Sequence, residues 1–158
     1  MSLRMKSPMP DLDGATDWIN ADQPDVKELI GNPTLIYFWS VSCDVCHNNI
    51  PKLEEWRQKY IPQGLQMVSI HSPRQKADLF EDKVLEVKKE YQITEPLAVD
   101  NQHVLLKAFQ NEFFPAFFLY DSEGNLMRRA SGNTGISLLA PILERYLKSK
   151  EETPTPEA

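Results

Sequence analysis

Both cysteines of the chain, Cys43 and Cys46, fall where a β-favouring run gives way to a helical pattern. Thr34 to Trp39 is nearly all apolar, as expected of a strand covered on both faces, and from Asp44 onward the apolar residues recur at helical spacing. This strand-to-helix junction is the point around which the rest of the chain is placed. Cys43 stands at or near a helix N-terminus, where unpaired backbone N–H groups and the helix dipole favour thiolate over thiol. A downward shift of about 1.5 pKa units corresponds to roughly 2 kcal/mol and leaves such a cysteine mostly ionised near neutral pH. Cys46, one turn further in, is expected to be more buried and less ionised. An exposed attacker with a sheltered resolver three residues away is the arrangement that disulfide exchange needs.

The whole chain sets the bounds. With 158 residues, 41% of them hydrophobic, it reads as one domain able to bury roughly 70% of its unfolded surface, so no disulfide staple is needed. The domain is expected over residues 1–150, with an N-terminal arm over about 1–33 and a disordered acidic tail at 151–158. The net charge of −6 argues against nucleic acid and anionic membrane surfaces. Cysteines this close cannot tie distant parts of a fold, so redox or metal chemistry is the natural reading. Met1 to Pro10 has no apolar stretch of signal-peptide length and no window approaches a membrane span, which makes the expected location cytoplasmic. Met1-Ser2-Leu3 also reads as a cloning remnant, in which case a trimmed leader would reopen the compartment.

The remaining elements follow from periodicity. The arm has a short apolar patch at Trp18-Ile19 and a helical turn at Val26 to Ile30. Apolar Cys46, Ile50, Leu53, Trp56 and Tyr60 predict a helix from Asp44 to Tyr60, kinked by Pro51. Leu65 to Ile70 is a second buried strand, and if it runs parallel to the first, His71 emerges at the edge that holds Cys43. A helix over Ala77 to Tyr91 follows, with Leu79, Phe80, Val84, Val87 and Tyr91 as its apolar stripe. Pro96 to Asp100 is a strand and Val104 to Phe109 a short helix. Phe113 to Tyr120, the turn Asp121 to Asn125, and Leu126 to Ala130 form a hairpin, and Ile136 to Leu147 is a closing helix with Ser137 as N-cap and Pro141 in its first turn. Strands alternating with helices imply an α/β fold with a mixed, mostly parallel central sheet, helices on both faces and an antiparallel C-terminal hairpin.

With Phe38-Trp39 ahead of the C-x-x-C, Pro51 after it, Phe114-Pro115 before an aromatic strand and Asp121 to Asn125 as the hairpin turn, the chain resembles the thioredoxin superfamily. Within it, the likeness is to the short cytosolic members of the ResA-like and TlpA-like thiol:disulfide oxidoreductases. The resemblance implies a thioredoxin-like fold in which Cys43 is the nucleophile and Cys46 the resolving cysteine. It also implies a cis Pro115 beside the pair, with Phe114 in contact with substrate; the plainer alternative is a trans proline opening a strand. Trp39 and His71 are the supporting residues, as a wall of the site and a proton-transfer candidate respectively, with a hydrogen-bonded strand-end histidine as the simpler role for His71. Val45 and Ser42 depart from the proline and tryptophan of many relatives. The buried acid of relatives is matched by Tyr37 and Asn49, neither a carboxyl, which leaves Asp44, His47 and His71 as substitutes.

The implied substrates are protein or small-molecule disulfides, with an upstream thiol reductant as second partner, no cofactor, no metal and a monomeric chain. Two rival readings stay open. A peroxiredoxin-like peroxidase would use Ser40, three residues before Cys43, although Ile36 stands where such enzymes carry proline. A non-enzymatic module would hold a client along Phe113 and Phe114, or a metal through the cysteines with His47, His71 or His103, at spacings that fit no common zinc module.

Overall fold

Strand β2 (Thr34–Trp39) is buried at every position, so its alternation splits the core into two layers. Leu35, Tyr37 and Trp39 face one side, and Ile36 and Phe38 the other. This is the computed structural model of the chain, which describes residues 3–152. Beside β2 runs β3 (Gln66–His71), parallel to it, and beside β3 runs β4 (Leu97–Val99), again parallel. On the other flank β5 (Ala116–Tyr120) pairs antiparallel with β2, and β6 (Leu126–Ser131) antiparallel with β5. The arm contributes β1 (Asp17–Ile19), antiparallel to β4, and the sheet order is β1-β4-β3-β2-β5-β6. The sheet is mixed as expected, but parallel pairing is confined to its three central strands. Antiparallel pairing is more extensive than sequence patterning implies, because the hairpin docks against β2 and the arm closes the far edge.

Helices cover both faces. On the Trp39 side lie α2 (Asp44–Asn49), α3 (Leu53–Tyr60), α4 (Glu81–Tyr91) and α6 (Gly135–Glu152); on the Phe38 side lie α5 (Val104–Ala108) and the arm with α1 (Val26–Leu29). The kink at Pro51 is present as a 3₁₀ turn, Ile50–Lys52, between α2 and α3. The arm is fastened at its start: Lys6 N–H donates to Leu126 O, and Leu126 N–H to Ser7 O.

Three local expectations are corrected. The helix after β3 starts at Glu81 and not at Ala77, since Lys76–Leu79 is a separate 3₁₀ turn that points Asp78 inward and leaves Leu79 and Phe80 exposed. The closing helix starts at Gly135, before Ser137, so Ser137 is not its cap and Pro141 lies in the second turn. Gly135 is required there: a Cβ would come 2.7 Å from the Phe117 ring. Of the expected disordered tail, Glu151 and Glu152 continue α6, and 153–158 lie outside the described residues, as do Met1 and Ser2. Among the described residues no helix is long and apolar enough to cross a membrane.

Candidate active site

Cys43 is the N-cap of α2 and is joined to Cys46 by a disulfide, with the Cα atoms 5.2 Å apart. The Cys46 N–H donates to Cys43 Sγ at 3.1 Å. A backbone N–H placed on a sulfur is the kind of donor that favours a thiolate over a thiol. The expected contrast in burial is small in this oxidised state, because Cys43 is 2% exposed and Cys46 0%. Both sulfurs sit in the Trp39 layer of the core, against which Val41 and Phe114 pack. The Phe114–Pro115 peptide is cis. Phe114 is half-buried and touches both core layers, whereas Phe113 is exposed.

The turn that presents Cys43, residues 40–42, is held at every position. Ser40 Oγ and Ser42 Oγ both donate to Asp78 Oδ2, at 2.8 and 2.6 Å, and the Arg74 N–H donates to the same oxygen at 2.9 Å. Between them, Val41 N–H donates to His71 Nε2 at 3.2 Å, and His47 Nε2–H donates to Val41 O at 2.8 Å. Buried Asp78 is therefore the carboxylate that ties down the turn before Cys43. Burial works to raise its pKa, but the donors from Ser42, Arg74 and Ser40, with nearby His71, outweigh it and hold the group below its ordinary value.

His71 is brought to the site as expected, at the end of β3 and fully buried. Burial lowers its pKa from 6.5 to about 4, against an opposing pull from Asp78. It is therefore neutral at pH 7, with Nε2 accepting and the proton on Nδ1, a buried atom without a partner among the described residues. Because the folded-state value lies below the unfolded one, the unfolded chain takes up this proton first as pH falls. The stability tied to neutral His71 is complete above about pH 6.5 and is lost between there and about pH 4. Oxidised wild-type protein is expected to lose about 2 kcal/mol more than His71→Asn between pH 7 and 4.5 in urea unfolding. Parallel pH slopes in the two proteins would overturn this assignment.

Trp39 is fully buried, with its indole N–H on Ser69 Oγ at 2.7 Å and its ring edge-on to His71 and Tyr91. The carboxyl absent from position 37 reappears one side chain away, where Tyr37 O–H donates to Glu95 Oε2 at 2.5 Å. Glu95 in turn is gripped by Arg57, through Nε at 2.6 Å and Nη2 at 3.0 Å. Burial first, and then the Glu95 charge, pushes the Tyr37 hydroxyl well above its usual range. Of the proposed substitutes for the acid, Asp44 is exposed, while His47 and His71 hold the turn. Asn49 bonds Val45 O and Asn133, and His103 bonds Pro73 O, both outside the cysteine turn. No three His, Cys, Asp or Glu side chains among the described residues form a group able to hold a metal.

Sequence reasoning missed Asp78, Arg74, Glu95 and Arg57. An inward Asp78 has a faint signal, Pro73 breaking the pattern just after β3; Glu95 and Arg57 have none, because each looks like a solvated charge.

Against this geometry the comparisons are specific. The AhpC/TSA family profile matches residues 5–129. Thiol-disulfide oxidoreductase YkuV of Bacillus subtilis is 39% identical over 150 residues, which is 94% of this chain and 100% of that protein. Thiol-disulfide oxidoreductase ResA of Bacillus thuringiensis subsp. konkukian is 25% identical over 124 residues, covering 78% of this chain and 66% of its own length. The solution structure of a thioredoxin-like protein in the oxidised form superposes with a TM-score of 0.84 at 38% identity, covering 93% of this chain and 99% of that one. The chain therefore belongs to the AhpC/TSA family and has the thioredoxin-like fold of these relatives.

Proposed function

We propose that this protein is a thiol:disulfide oxidoreductase that reduces disulfides through Cys43 and Cys46. The observation that carries the reading is the cysteine pair itself: Cys43 capping α2, with the Cys46 N–H on its sulfur, in a chain whose Phe114–Pro115 peptide is cis. The Cys43 thiolate attacks one sulfur of a substrate disulfide; that S–S bond breaks and the departing thiolate takes a proton from water. Cys46 then gives up its proton and its thiolate attacks Cys43 Sγ; the mixed S–S bond breaks, and the second substrate thiolate leaves and takes up a proton. The substrate has gained two electrons and two protons, and the enzyme is left with the Cys43–Cys46 bond seen in the structure. An upstream dithiol reductant returns it to the start.

Phe114 and Pro115 are the substrate-facing side of the site in this proposal, and Trp39 and His71 its support. A reducing role fits a cytoplasmic location, where dithiols are kept reduced, and the unit is a monomer of one domain spanning residues 1–150. The named relatives YkuV and ResA are thiol-disulfide oxidoreductases, which favours the same activity here.

The rival peroxidase reading asks for the Ser40 hydroxyl at the attacking sulfur, but that hydroxyl donates to Asp78. With dithiothreitol as reductant, the protein is expected to accelerate reduction of insulin disulfides and to leave hydrogen peroxide consumption at the background rate. Peroxide consumed faster than disulfide would move the assignment to a thiol peroxidase.

A further inference from the structure

Arg74 spans the two walls of the candidate site. Its Nη1 donates to the Ser42 carbonyl, one residue before Cys43, at 3.3 Å, and its guanidinium lies 6.0 Å from the centre of the Phe114 ring, one residue before cis Pro115. The backbone beneath it is anchored, since the Arg74 N–H donates to buried Asp78. The side chain itself is exposed and forms no ion pair among the described residues. A guanidinium offers five N–H donors in a fixed fork suited to carboxylates, and among the described residues its hydrogen bond to Ser42 O uses one of them. The charges around it are mixed, and none of them is an ion-pair partner of Arg74 among the described residues. The Asp78 carboxylate accepts three neutral donors on Oδ2, Asp44 is exposed at the start of α2, and the hollow beside Ser42 is lined by one cation, Lys83, and two anions, Asp78 and Glu86. On a chain of net charge −6, which repels anions overall, an unpaired cation at this one rim works against the general field.

We infer that Arg74 is a specificity-determining residue that selects disulfides carrying a carboxylate beside the cystine, in small molecules or in acidic peptide segments. The inference rests on the oxidoreductase reading. Both sources present the same chemistry, a carboxylate a few ångströms from the attacked sulfur, aligned by the guanidinium while the Phe114 side holds the apolar part.

The test uses three disulfide-linked peptides of one sequence with Glu, Gln or Lys beside the cystine, together with glutathione disulfide. kcat/KM is measured at low salt and normalised within each variant to the Gln peptide. Attraction of Glu and repulsion of Lys are each expected to be worth about threefold, hence a Glu-to-Lys preference of about tenfold in the wild type. Arg74→Gln is expected to bring that ratio close to one, Arg74→Lys to retain part of it, and Lys76→Gln, which removes an exposed cation two residues along, to retain all of it. A glutathione disulfide rate that falls with Arg74→Gln in step with the Glu peptide points to small molecules and peptides sharing the site; loss for the Glu peptide alone points to peptide segments. Equal Glu and Lys rates in the wild type, or a ratio unchanged by Arg74→Gln, overturn the inference while leaving the activity standing. No turnover of any of the four disulfides overturns the oxidoreductase reading, and this inference with it.

Discussion

Cys43→Ser is expected to lower disulfide reduction by about a thousandfold or more, and Cys46→Ser to stop turnover at a different stage, with substrate covalently attached through Cys43. The two variants are expected to differ because the proposed reaction gives the two sulfurs different tasks. Cys43 caps α2 and its sulfur accepts the Cys46 N–H, a donor of the kind that favours a thiolate, whereas Cys46 lies within the helix. A hydroxyl at position 43 is a far weaker nucleophile than a thiolate at neutral pH, so the first S–S exchange does not begin. Without a thiol at position 46 the first exchange proceeds but the mixed disulfide has no internal exit. Intact-mass spectrometry reads the outcome directly: an adduct on Cys46→Ser that disappears with dithiothreitol, and none on Cys43→Ser. Trapping on Cys43→Ser instead would reverse the assigned roles.

The second large effect is on stability. Arg57 and Glu95 are each 7% exposed and joined by two hydrogen bonds, with Tyr37 O–H closing the triangle. Arg57→Ala leaves the Glu95 carboxylate buried without its cation and is expected to cost about 3–5 kcal/mol in denaturant unfolding, whereas Glu95→Ala leaves Arg57 its contact with Glu54 at 3.2 Å and is expected to cost less, about 2–3 kcal/mol. Tyr37→Phe removes only a neutral donor, though one paired with a charged group, and should cost about 1.5–3 kcal/mol. Replacing Arg57 and Glu95 together by methionines should recover most of the loss, because the desolvation cost then falls on neither group. Costs below about 1 kcal/mol for both single alanine variants would mean that water reaches the pair in solution and that it is not a buried ion pair.

Much of the fold was legible because its signals are local. The unbroken apolar run before Cys43 could only be an interior strand, Pro51 could only interrupt its helix, and the Asp121 to Asn125 turn fixed the hairpin. His71 reached the cysteine edge because β2 and β3 run parallel in register, pairing Trp39 with His71. What escaped sequence reading was set by tertiary contacts. Leu79 and Phe80 continue a helical stripe on paper, yet Asp78 is drawn inward by Ser40 and Ser42, and the backbone turns there instead of coiling. The same long-range bonding hides Glu95: nothing in Glu95-Pro96 announces that Tyr37 and Arg57 will meet it from β2 and α3. Arg74 reads as an ordinary surface cation until the turn before Cys43 and the Phe114 ring are seen on either side of it.

The measurement that tests the central claim most directly is a redox titration of the Cys43/Cys46 couple in graded glutathione or dithiothreitol buffers, with free thiols counted at each point. The account predicts one reversible two-electron transition in which both thiols disappear together, with a midpoint toward the thioredoxin end, around −270 mV. A midpoint near −120 mV would contradict the reducing direction, and a pair that forms no intramolecular disulfide under any of the buffers would contradict the activity itself.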